Sequence, residues 1–503
     1  MRRLGAVLLG LVLLASGCAA GPGTAEPSKP HKKPNFIFVL ADDLDDTLMP
    51  YMPKTARDIT AQGVTLNRYY VNLSWCCPSR ASTLRGQYAH NTGVWSNNPP
   101  NGGFMEFYKR GEEKDTLATW LAKAGYRNGL FGKYLNGYPE QVPSLPLTRV
   151  PPGWDTWVAP VAGHPFQGFD YTLNVNGSLV KRPPSPKTYL TDVLSQYAQQ
   201  FVTAQDKRPF FAYIAPVTPH PPAVPAPRHK KLYPGLKAPR TPAYDAAPAG
   251  KTTEVRRLPP LTSGEERRWD TLFRHRAQSM RAIDDMVDAL VTALRAAGRL
   301  DDTYIVVTSD NGFHIGDYRM PPGKNTGYEG DIRVPFVVRG PGVPAGRTVS
   351  ALAGNTDVAP TLLDLAGARR PPIVDGRSLR PLLAGRRPSG WRSAYLLEHG
   401  TARGTHPAAR YDGPGKPPDP YTPRTRTQFY LPVFTGLRTD RYLYLDYATG
   451  ERELYDMERD PYQLHNLAAA DPAEVERLTT WIGRLSDCAA AACRTAEARP
   501  PER

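Results

Sequence analysis

The sequence contains little cysteine, no internal repeat and only one long apolar run. Its 503 residues include five cysteines, and no stretch after the N-terminal run reaches the ~18 apolar residues that a membrane-spanning helix needs. It also lacks the interleaved basic and aromatic residues typical of nucleic-acid binding. The sequence therefore gives no support for a repeat protein, an internal membrane span or a nucleic-acid partner.

The composition is that of a folded globule. Hydrophobic residues make up 40% of the chain and aromatic residues 10%, which suits one large domain with a smaller one attached. The formal net charge is +15. This charge could attract acidic substrates or anionic surfaces, or it could reflect a solvated, arginine-rich surface.

The N-terminus has the features of an export signal. A short basic start, an apolar run from Leu4 to Leu14 and small residues before Cys18 predict a signal peptide over residues 1–17. The position of Cys18 resembles the lipobox of bacterial lipoproteins, which implies a lipidated thiol and membrane contact only through that anchor. A secreted protein without an anchor is the alternative. Residues 18–34, rich in Pro, Gly, Lys and His, predict a flexible tether.

The other four cysteines fall into two pairs. Cys488 and Cys493 are close in sequence, which in an exported protein suggests a local disulfide, although spacing alone does not prove the pairing. Cys76 and Cys77 are adjacent, and a bond between neighbouring cysteines requires a strained ring. We therefore do not expect these two to pair with each other.

Two continuous apolar runs predict buried strands of a parallel sheet. Residues 35–40 and 303–308 are apolar without alternation, as expected for strands covered on both faces. Both runs end in oxygen-bearing side chains, and the carboxyl ends of parallel strands meet at one rim. The residues are Asp42, Asp43, Asp310 and Asn311. They could form a Ca²⁺ or Mg²⁺ site, or they could be ordinary caps and turns.

The remaining pattern alternates helices with strands and changes near residue 386. We predict a helix near Leu117, a strand at 127–131, a core-packed helix at 277–297, a proline-rich surface excursion at 221–260, short strands at 428–434, 442–447 and 451–455, and a helix at 471–485. The fold class is α/β, with a large mixed, mostly parallel sheet between helices and a smaller C-terminal antiparallel sheet plus helix. The predicted divisions are a catalytic domain over 35–385, a C-terminal subdomain over 386–495 and a tail over 496–503.

The stretch from Trp75 to Gly86 predicts a nucleophile that faces an anion. Pro78 suits the first turn of a helix, so Cys76 would lie at the helix entrance, where free N–H groups favour an anion. Arg80 follows with a bidentate donor fork.

Cys76-Cys77-Pro78-Ser79-Arg80 resembles the Cys-x-Pro-x-Arg signature of type I sulfatases. In that family a dedicated formylglycine-generating enzyme oxidises the first cysteine to formylglycine, which implies modification of Cys76. Cys77 would be a small buried side chain. Arg85 stands where many members have threonine, which is a departure from the family pattern.

Further matches to this family extend from about Pro34 to Cys493. The resemblance implies an alkaline phosphatase-like fold, with the four rim residues as ligands of Ca²⁺, or of Mg²⁺. It implies these substrate contacts and catalytic groups: Lys133, His220, Lys324 and His314. Asn136 stands near the position of a family histidine, so its role is open. The motifs together are most similar to the N-acetylglucosamine-6-sulfatase-like branch.

The resemblance implies hydrolysis of sulfate esters, most of all those of sulfated carbohydrates. A hydrated formylglycine would attack sulfur, Arg80, Lys133 and Lys324 would neutralise charge, and His220 or Lys324 would protonate the leaving alcohol. One alternative is a phosphomonoester or phosphonate hydrolase of the alkaline phosphatase superfamily. Another is an inactive glycan-binding surface lipoprotein.

Overall fold

A ten-stranded mixed sheet runs through the protein, whose computed structural model describes residues 33–400 and 431–502. The described strands, in chain order, are β1 (Asn35–Ala41), β2 (Val64–Leu66), β3 (Tyr69–Tyr70), β4 (Arg127–Gly132), β5 (Thr156–Gly163), β6 (Tyr171–Val175), β7 (Ser178–Arg182), β8 (Phe210–Ala215), β9 (Thr303–Ser309), β10 (Phe336–Arg339), β11 (Arg347–Val349), β12 (Ala353–Gly354), β13 (Ala394–His399), β14 (Phe434–Thr439), β15 (Tyr442–Tyr447) and β16 (Arg452–Asp456). The described helices are α1 (Pro53–Thr55), α2 (Cys76–Arg85), α3 (Ala89–Thr92), α4 (Gly103–Lys109), α5 (Leu117–Lys123), α6 (Leu190–Thr203), α7 (Thr253–Arg256), α8 (Ser263–Ala296), α9 (Glu329–Ile332), α10 (Val358–Leu365), α11 (Arg380–Leu383), α12 (Pro472–Leu485) and α13 (Ala491–Ala498). The predicted signal peptide (1–17), Cys18 and all but the last two residues of the tether lie outside the described residues.

The strand order of the large sheet is β11-β2-β10-β9-β1-β8-β4-β5-β6-β7. The central run from β9 to β5 is parallel throughout, whereas β10, β6 and β7 introduce antiparallel pairs. Parallel neighbours need long crossovers, which here contain helices except between β4 and β5, where residues 133–155 contain none. The centre of the sheet therefore has all its carboxyl ends on one side.

Strand β1 is buried on both faces, as its unbroken apolar run predicts. Phe36, Phe38 and Leu40 pack into a core that also contains residues of α2, α5 and α10. Ile37 and Val39 lie in a second core, with residues of α6 and α8. Helices thus cover the sheet on both faces, and the predicted α/β sandwich is confirmed.

Helix α8 begins fourteen residues earlier than the predicted start at Ala277. The fourteen residues before Ala277 include many charged residues, and only Trp269, Leu272 and Phe273 among them lie in the core. Thr262 and Glu265 form a capping box that fixes the true start. The early boundary was missed because periodicity in those fourteen residues is weak. No helix in the described parts of the chain is long and apolar enough to cross a membrane.

A separate four-stranded antiparallel sheet, in the order β13-β14-β15-β16, packs with helix α12. It confirms the predicted smaller C-terminal sheet plus helix. The predicted strand at 428–434 is displaced, because β14 starts at Phe434 and residues 428–430 lie outside the described part of the chain. The division at residues 385 and 386 stays a prediction.

The C-terminus is helical where the sequence predicted a tail from residue 496. Helix α13 extends to Ala498 and contains Cys493, which forms a disulfide with Cys488 ahead of the helix. Glu497 is fully buried and accepts hydrogen bonds from Arg392 and Arg377. The alanine-rich sequence has no apolar stripe, so the helix has no periodic signal in the sequence.

The excursion over residues 221–260 is largely irregular, with α7 its only α-helix, but it is not confined to the surface. Ala226, Ala238, Lys251 and Val255 are all buried. The prediction of a surface segment was wrong for these positions, because proline-rich composition reports irregular backbone and does not report burial.

Candidate active site

Strands β1 and β9 end side by side and deliver four polar residues to the same rim. Ala41 is in register with Ser309, so the residues that follow each strand are neighbours. The backbone N–H of Asp43 donates to Asp310 Oδ1 at 3.1 Å, and Asn311 Nδ2 donates to Asp43 Oδ1 at 2.7 Å. Asp42, Asp43, Asp310 and Asn311 thus form one cluster, as the sequence predicts.

The next two strands of the sheet add a lysine and a histidine to this rim. Gly132 at the end of β4 is in register with Ala215 at the end of β8. Lys133 follows directly, and its Nζ lies 2.7 Å from Asp42 Oδ2. His220 follows β8, with its Nε2 3.8 Å from Asp43 Oδ2 and its Nδ1 2.6 Å from the carbonyl oxygen of Pro221.

Helix α2 presents Cys76 to the cluster from its first residue. Trp75 is extended, Pro78 occupies the first turn and Gly86 ends the helix in the left-handed region at φ 65°. Cys76 Sγ lies 3.3 Å from Asp42 Oδ1, and Lys324 Nζ donates to the same sulfur at 2.9 Å.

Arg80 and Lys324 connect the helix to the rim. Arg80, one turn after Cys76, donates from Nε to Asp310 Oδ2 at 2.8 Å and from Nη1 to the carbonyl oxygen of Lys133 at 3.0 Å. Lys324 comes from an irregular segment and also donates to Asp43 Oδ1. Cys77 points instead into the core beneath the helix and is unpaired, as predicted.

The whole cluster is removed from solvent, and this shifts its titration. Burial alone would raise the pKa of Asp42, but Lys133, His220 and Arg80 outweigh it and hold that pKa well below its usual range. Burial raises the pKa of Asp43 and of Asp310 despite their cationic neighbours. Burial and the adjacent Asp42 raise the pKa of the Cys76 thiol. An unmodified thiol here is therefore neutral and a weak nucleophile.

The donor set fits a hard divalent cation. One ligand atom from each of Asp42, Asp43, Cys76 and Asp310 lies within 4.8 Å of the others. Asp43 Oδ2 and Asn311 Oδ1 are buried without a hydrogen-bond partner among the described residues. Asp43 is also held in the left-handed region at φ 69°. Buried oxygens without donors and local backbone strain are typical of a site built for a ligand.

Two of the predicted substrate contacts lie differently. His314 Nδ1 is 2.9 Å from Asp331 Oδ1 and its Nε2 is 2.9 Å from the carbonyl oxygen of Pro321, so both ring nitrogens face protein groups. The backbone carbonyl of Asn136 accepts from Phe104, and its side-chain oxygen is buried without a hydrogen-bond partner in the described structure. The role of Asn136 stays a prediction.

One residue of the site was not anticipated from the sequence. The ring of Phe166, between β5 and β6, lies 4.6 Å from the ring of His220, and Lys133 Nζ lies 5.6 Å from its centroid. A single phenylalanine in a three-residue 3₁₀ helix has no pattern that marks it as part of a site.

Comparisons with known proteins agree with this geometry. The Sulfatase family profile matches residues 34–368. The N-acetylglucosamine-6-sulfatase of Homo sapiens is 34% identical over 502 residues, covering 96% of this chain and 90% of that protein. The goat enzyme of the same name, from Capra hircus, is 34% identical over 95% of this chain and 87% of its own length.

Solved structures show the same fold. The structure of BT4656 in complex with its substrate D-glucosamine-2-N,6-O-disulfate superposes with a TM-score of 0.72 at 23% identity, covering 90% of this chain and 97% of that one. The phosphonate monoester hydrolase SpPMH from Silicibacter pomeroyi has a TM-score of 0.65 at 24% identity, covering 90% and 94%. The predicted alkaline phosphatase-like fold is confirmed. We conclude that the chain belongs to the sulfatase family, in its N-acetylglucosamine-6-sulfatase-like branch, and is a sulfuric ester hydrolase.

Proposed function

We propose that the protein hydrolyses sulfate esters of carbohydrates, with formylglycine made from Cys76 as the reacting group and Ca²⁺ at the rim. The observation that carries this proposal is the position of Cys76, at the start of α2 and in contact with both Asp42 and Lys324. The name of the human relative and the substrate of BT4656 support a sulfated amino sugar as the substrate class.

The proposed cation site consists of Asp42, Asp43, Asp310 and Asn311. Three carboxylates and one amide oxygen are ligands that suit Ca²⁺, and Mg²⁺ is the alternative. When bound, the cation would supply positive charge next to the sulfate oxygens. Asp43 Oδ2 and Asn311 Oδ1, which have no hydrogen-bond partner among the described residues, support this assignment.

Formylglycine would supply a hydrated aldehyde, whose hydroxyl is the nucleophile that attacks sulfur. This requires a formylglycine-generating enzyme as a maturation partner. The departure at Arg85 lies outside the five residues of the Cys76–Arg80 signature.

The protein's own cations bind and orient the sulfate group. Arg80 is held by hydrogen bonds to Asp310 and to the carbonyl oxygen of Lys133. Its remaining nitrogen, Nη2, has no hydrogen-bond partner among the described residues and can therefore bind a sulfate oxygen. Lys133 contacts Asp42, and Lys324 contacts both Asp43 and the Cys76 sulfur, so both ammonium groups lie at the cluster. Fixed positive groups that face a region of developing negative charge stabilise it without reorganisation.

A proton must reach the oxygen of the leaving alcohol. His220 and Lys324 are the two groups placed for this role. The contact of His220 Nδ1 with the Pro221 carbonyl requires a proton on Nδ1, which orients Nε2 towards the rim. Lys324 Nζ is already within 2.9 Å of the reacting side chain.

The proposal also includes export of the protein through its signal peptide, lipidation of Cys18, and a separate C-terminal subdomain over residues 386–495.

The test is a substrate panel with protein produced together with a formylglycine-generating enzyme. Rates on 6-O-sulfated N-acetylglucosamine, nitrophenyl sulfate and nitrophenyl phosphate are compared, and the mass of the peptide containing residue 76 reports its conversion to the aldehyde. We expect conversion and the highest kcat/KM on the sulfated sugar. A faster rate on the phosphate ester would favour the phosphomonoesterase alternative. An unmodified residue 76 in protein from the native host, without turnover, would favour a glycan-binding role.

A further inference from the structure

Lys324 reaches Cys76 from a segment that has no regular secondary structure. Residues 319–328 contain two prolines and two glycines, and Asn325 is in the left-handed region at φ 73°. Such a segment does not fix a side chain by its own backbone hydrogen bonds. The contacts on either side of Lys324 therefore set the position of its backbone, from which the ammonium group reaches Asp43 and the Cys76 sulfur.

His314 fixes the segment on the N-terminal side of Lys324. Its backbone N–H donates to the carbonyl of Gly323 at 2.8 Å, and the N–H of Gly323 donates back to the carbonyl of His314 at 3.1 Å. The ring adds a third contact, since Nε2 lies 2.9 Å from the carbonyl oxygen of Pro321. His314 thus contacts Gly323 and Pro321, which lie one and three residues before Lys324.

Asp331 and Ser74 fix the segment on the other side. Asp331 Oδ2 accepts from the backbone N–H of Thr326 at 3.1 Å and from its hydroxyl at 2.7 Å. The carbonyl of Ser74 accepts from Asn325 N–H at 3.0 Å, and the hydroxyl of Ser74 donates to the carbonyl of Thr326 at 2.6 Å. Because Ser74 lies two residues before Cys76, these bonds set the lysine segment directly against the start of α2.

The contacts on the two sides of Lys324 are connected, because His314 and Asp331 contact each other. His314 Nδ1 lies 2.9 Å from Asp331 Oδ1, and both residues are at least 95% buried. A carboxylate faces one ring nitrogen and a carbonyl faces the other, and this arrangement suits a ring that is protonated on both nitrogens. Burial alone would lower the pKa of His314, but Asp331 outweighs it and raises that pKa.

We propose that His314, together with Asp331, is a positioning residue that holds Lys324 against Cys76. His314 acts on the reaction through Lys324 and does not touch the sugar. This replaces the expectation of a direct substrate contact, because neither ring nitrogen faces the cluster. It rests on the proposed function, in which Lys324 engages the sulfate group.

The test is a double-mutant cycle between His314 and Lys324. The variants are His314→Gln, Lys324→Ala and the double variant, with kcat and KM measured on a sulfated monosaccharide and on nitrophenyl sulfate. Glutamine has one donor nitrogen and does not span both acceptors. We expect His314→Gln to lower kcat/KM about 10- to 100-fold, equally on both esters, since a small displacement of a catalytic group costs this much. We expect no further loss when it is added to Lys324→Ala.

Controls separate positioning from general damage. His229→Gln alters another buried histidine, whose Nε2 lies 3.2 Å from Asp285, and it should keep wild-type kinetics. Asp331→Asn should reproduce the His314→Gln profile if the pair acts as a unit. Loss confined to the sugar ester would show a direct sugar contact and overturn the proposal. Independent, multiplicative losses in the double variant would also overturn it.

Calorimetry with inorganic sulfate separates failure of this inference from failure of the proposed function. We expect His314→Gln to weaken sulfate binding about tenfold in the wild-type background and to leave it unchanged in Lys324→Ala. If no sulfate ester is hydrolysed but this coupling is found, the proposed function falls and the positioning role stands. If sulfate binding shows no coupling, the positioning role falls.

Discussion

Arg80 at the active-site rim and Arg392 before β13 are both fully buried, yet their surroundings are built on opposite plans. Arg392 donates from Nε to Glu497 at 3.0 Å and from both terminal nitrogens to Asp357 at 2.6 Å. Arg80 has one terminal nitrogen without a hydrogen-bond partner in the described structure. All three guanidinium nitrogens of Arg392 are therefore in hydrogen bonds, whereas Arg80 has one nitrogen that can take a further partner.

This difference separates charges that hold the chain together from charges that await a ligand. A buried ion is costly unless its hydrogen bonds are satisfied. Around Arg392 they are satisfied by Asp357 ahead of α10 and Glu497 in α13, so the network joins distant segments. At the rim, cations and carboxylates are left with unused donors and acceptors, which suits a cation and an anionic substrate group.

Replacing Cys76 should abolish activity without lowering the stability of the fold. We expect Cys76→Ser to lower kcat at least about 1,000-fold, because a serine that is not oxidised cannot form the aldehyde hydrate. Thermal unfolding should be nearly unchanged. The matched control is Cys77→Ala, next to it in the helix, which should keep turnover. Near-normal turnover by Cys76→Ser would contradict the aldehyde mechanism.

Replacing Arg392 should lower the stability of the fold and leave the activity unchanged. We expect Arg392→Met to lower the free energy of unfolding by about 3–5 kcal/mol, because it removes the cation paired with the buried Asp357 and leaves the buried Glu497 with Arg377 as its only cationic partner among the described residues. The kcat of the folded fraction should be unchanged. Arg452→Met removes a half-exposed partner of Asp446 and should cost less than about 1 kcal/mol. Equal denaturation midpoints for the two variants would refute the contrast.

Lys251 is a third kind of buried charge and sharpens the comparison. Its ammonium lies 3.7 Å from the ring centroid of Tyr318 and 4.1 Å from that of Tyr328. It has no hydrogen-bond partner among the described residues, and a carboxylate oxygen, Glu453 Oε2, lies 4.0 Å away. Burial lowers its pKa from 10.5 to about 8. The folded state therefore binds this proton more weakly than the unfolded state does.

The sign of the pH effect follows from that shift. Below pH 8 the lysine is charged in both states and destabilises the fold, by up to about 3 kcal/mol before the ring contacts offset part of it. Lys251→Met should then be more stable than the wild type at pH 7. The difference should shrink as the pH rises from about 8 to about 10.5. Denaturant unfolding across this range checks it, and a constant difference would contradict the burial of a charged lysine.

Binding of Ca²⁺ at the rim should stabilise the folded protein. Ca²⁺ at about 100 times its Kd should stabilise the folded protein by about 2.7 kcal/mol. Thermal unfolding with and without Ca²⁺ measures this independently of activity. Asp43→Asn should lose most of the effect, whereas Asp288→Asn, on the partly exposed face of α8, should keep it. A wild-type Ca²⁺ response in Asp43→Asn would move the cation elsewhere.

The sequence predicts the rim well because strand periodicity and strand ends are local properties. The runs before Asp42 and Asp310 are continuous and apolar, and the matched register of β1 and β9 does the rest. The contact between Lys324 and Cys76 has no such signal, since it joins an irregular segment to a helix start 248 residues away. Only the family resemblance marked that lysine.

Burial of charge was the property that sequence reasoning missed most. Glu497 lies in an alanine-rich helix without an apolar stripe, so its buried pairing with Arg392 is visible only in three dimensions. The same holds for Lys251, in a segment whose prolines predict irregular backbone. The sequence predicts a substrate contact for His314, but the orientation of its ring depends on Pro321 and Asp331, which no periodicity relates to it.

The complete burial of Cys76 has a consequence for the order of events during synthesis. The groups that enclose its sulfur include Lys324, which leaves the ribosome long after Cys76, and the neighbouring strand β9 is also made late. Until those segments have been made and folded, the thiol would be open to the maturation enzyme that the proposed function requires. Folding around the thiol would end that access, so folded protein with an unmodified residue 76 would have to be unfolded before it could be matured.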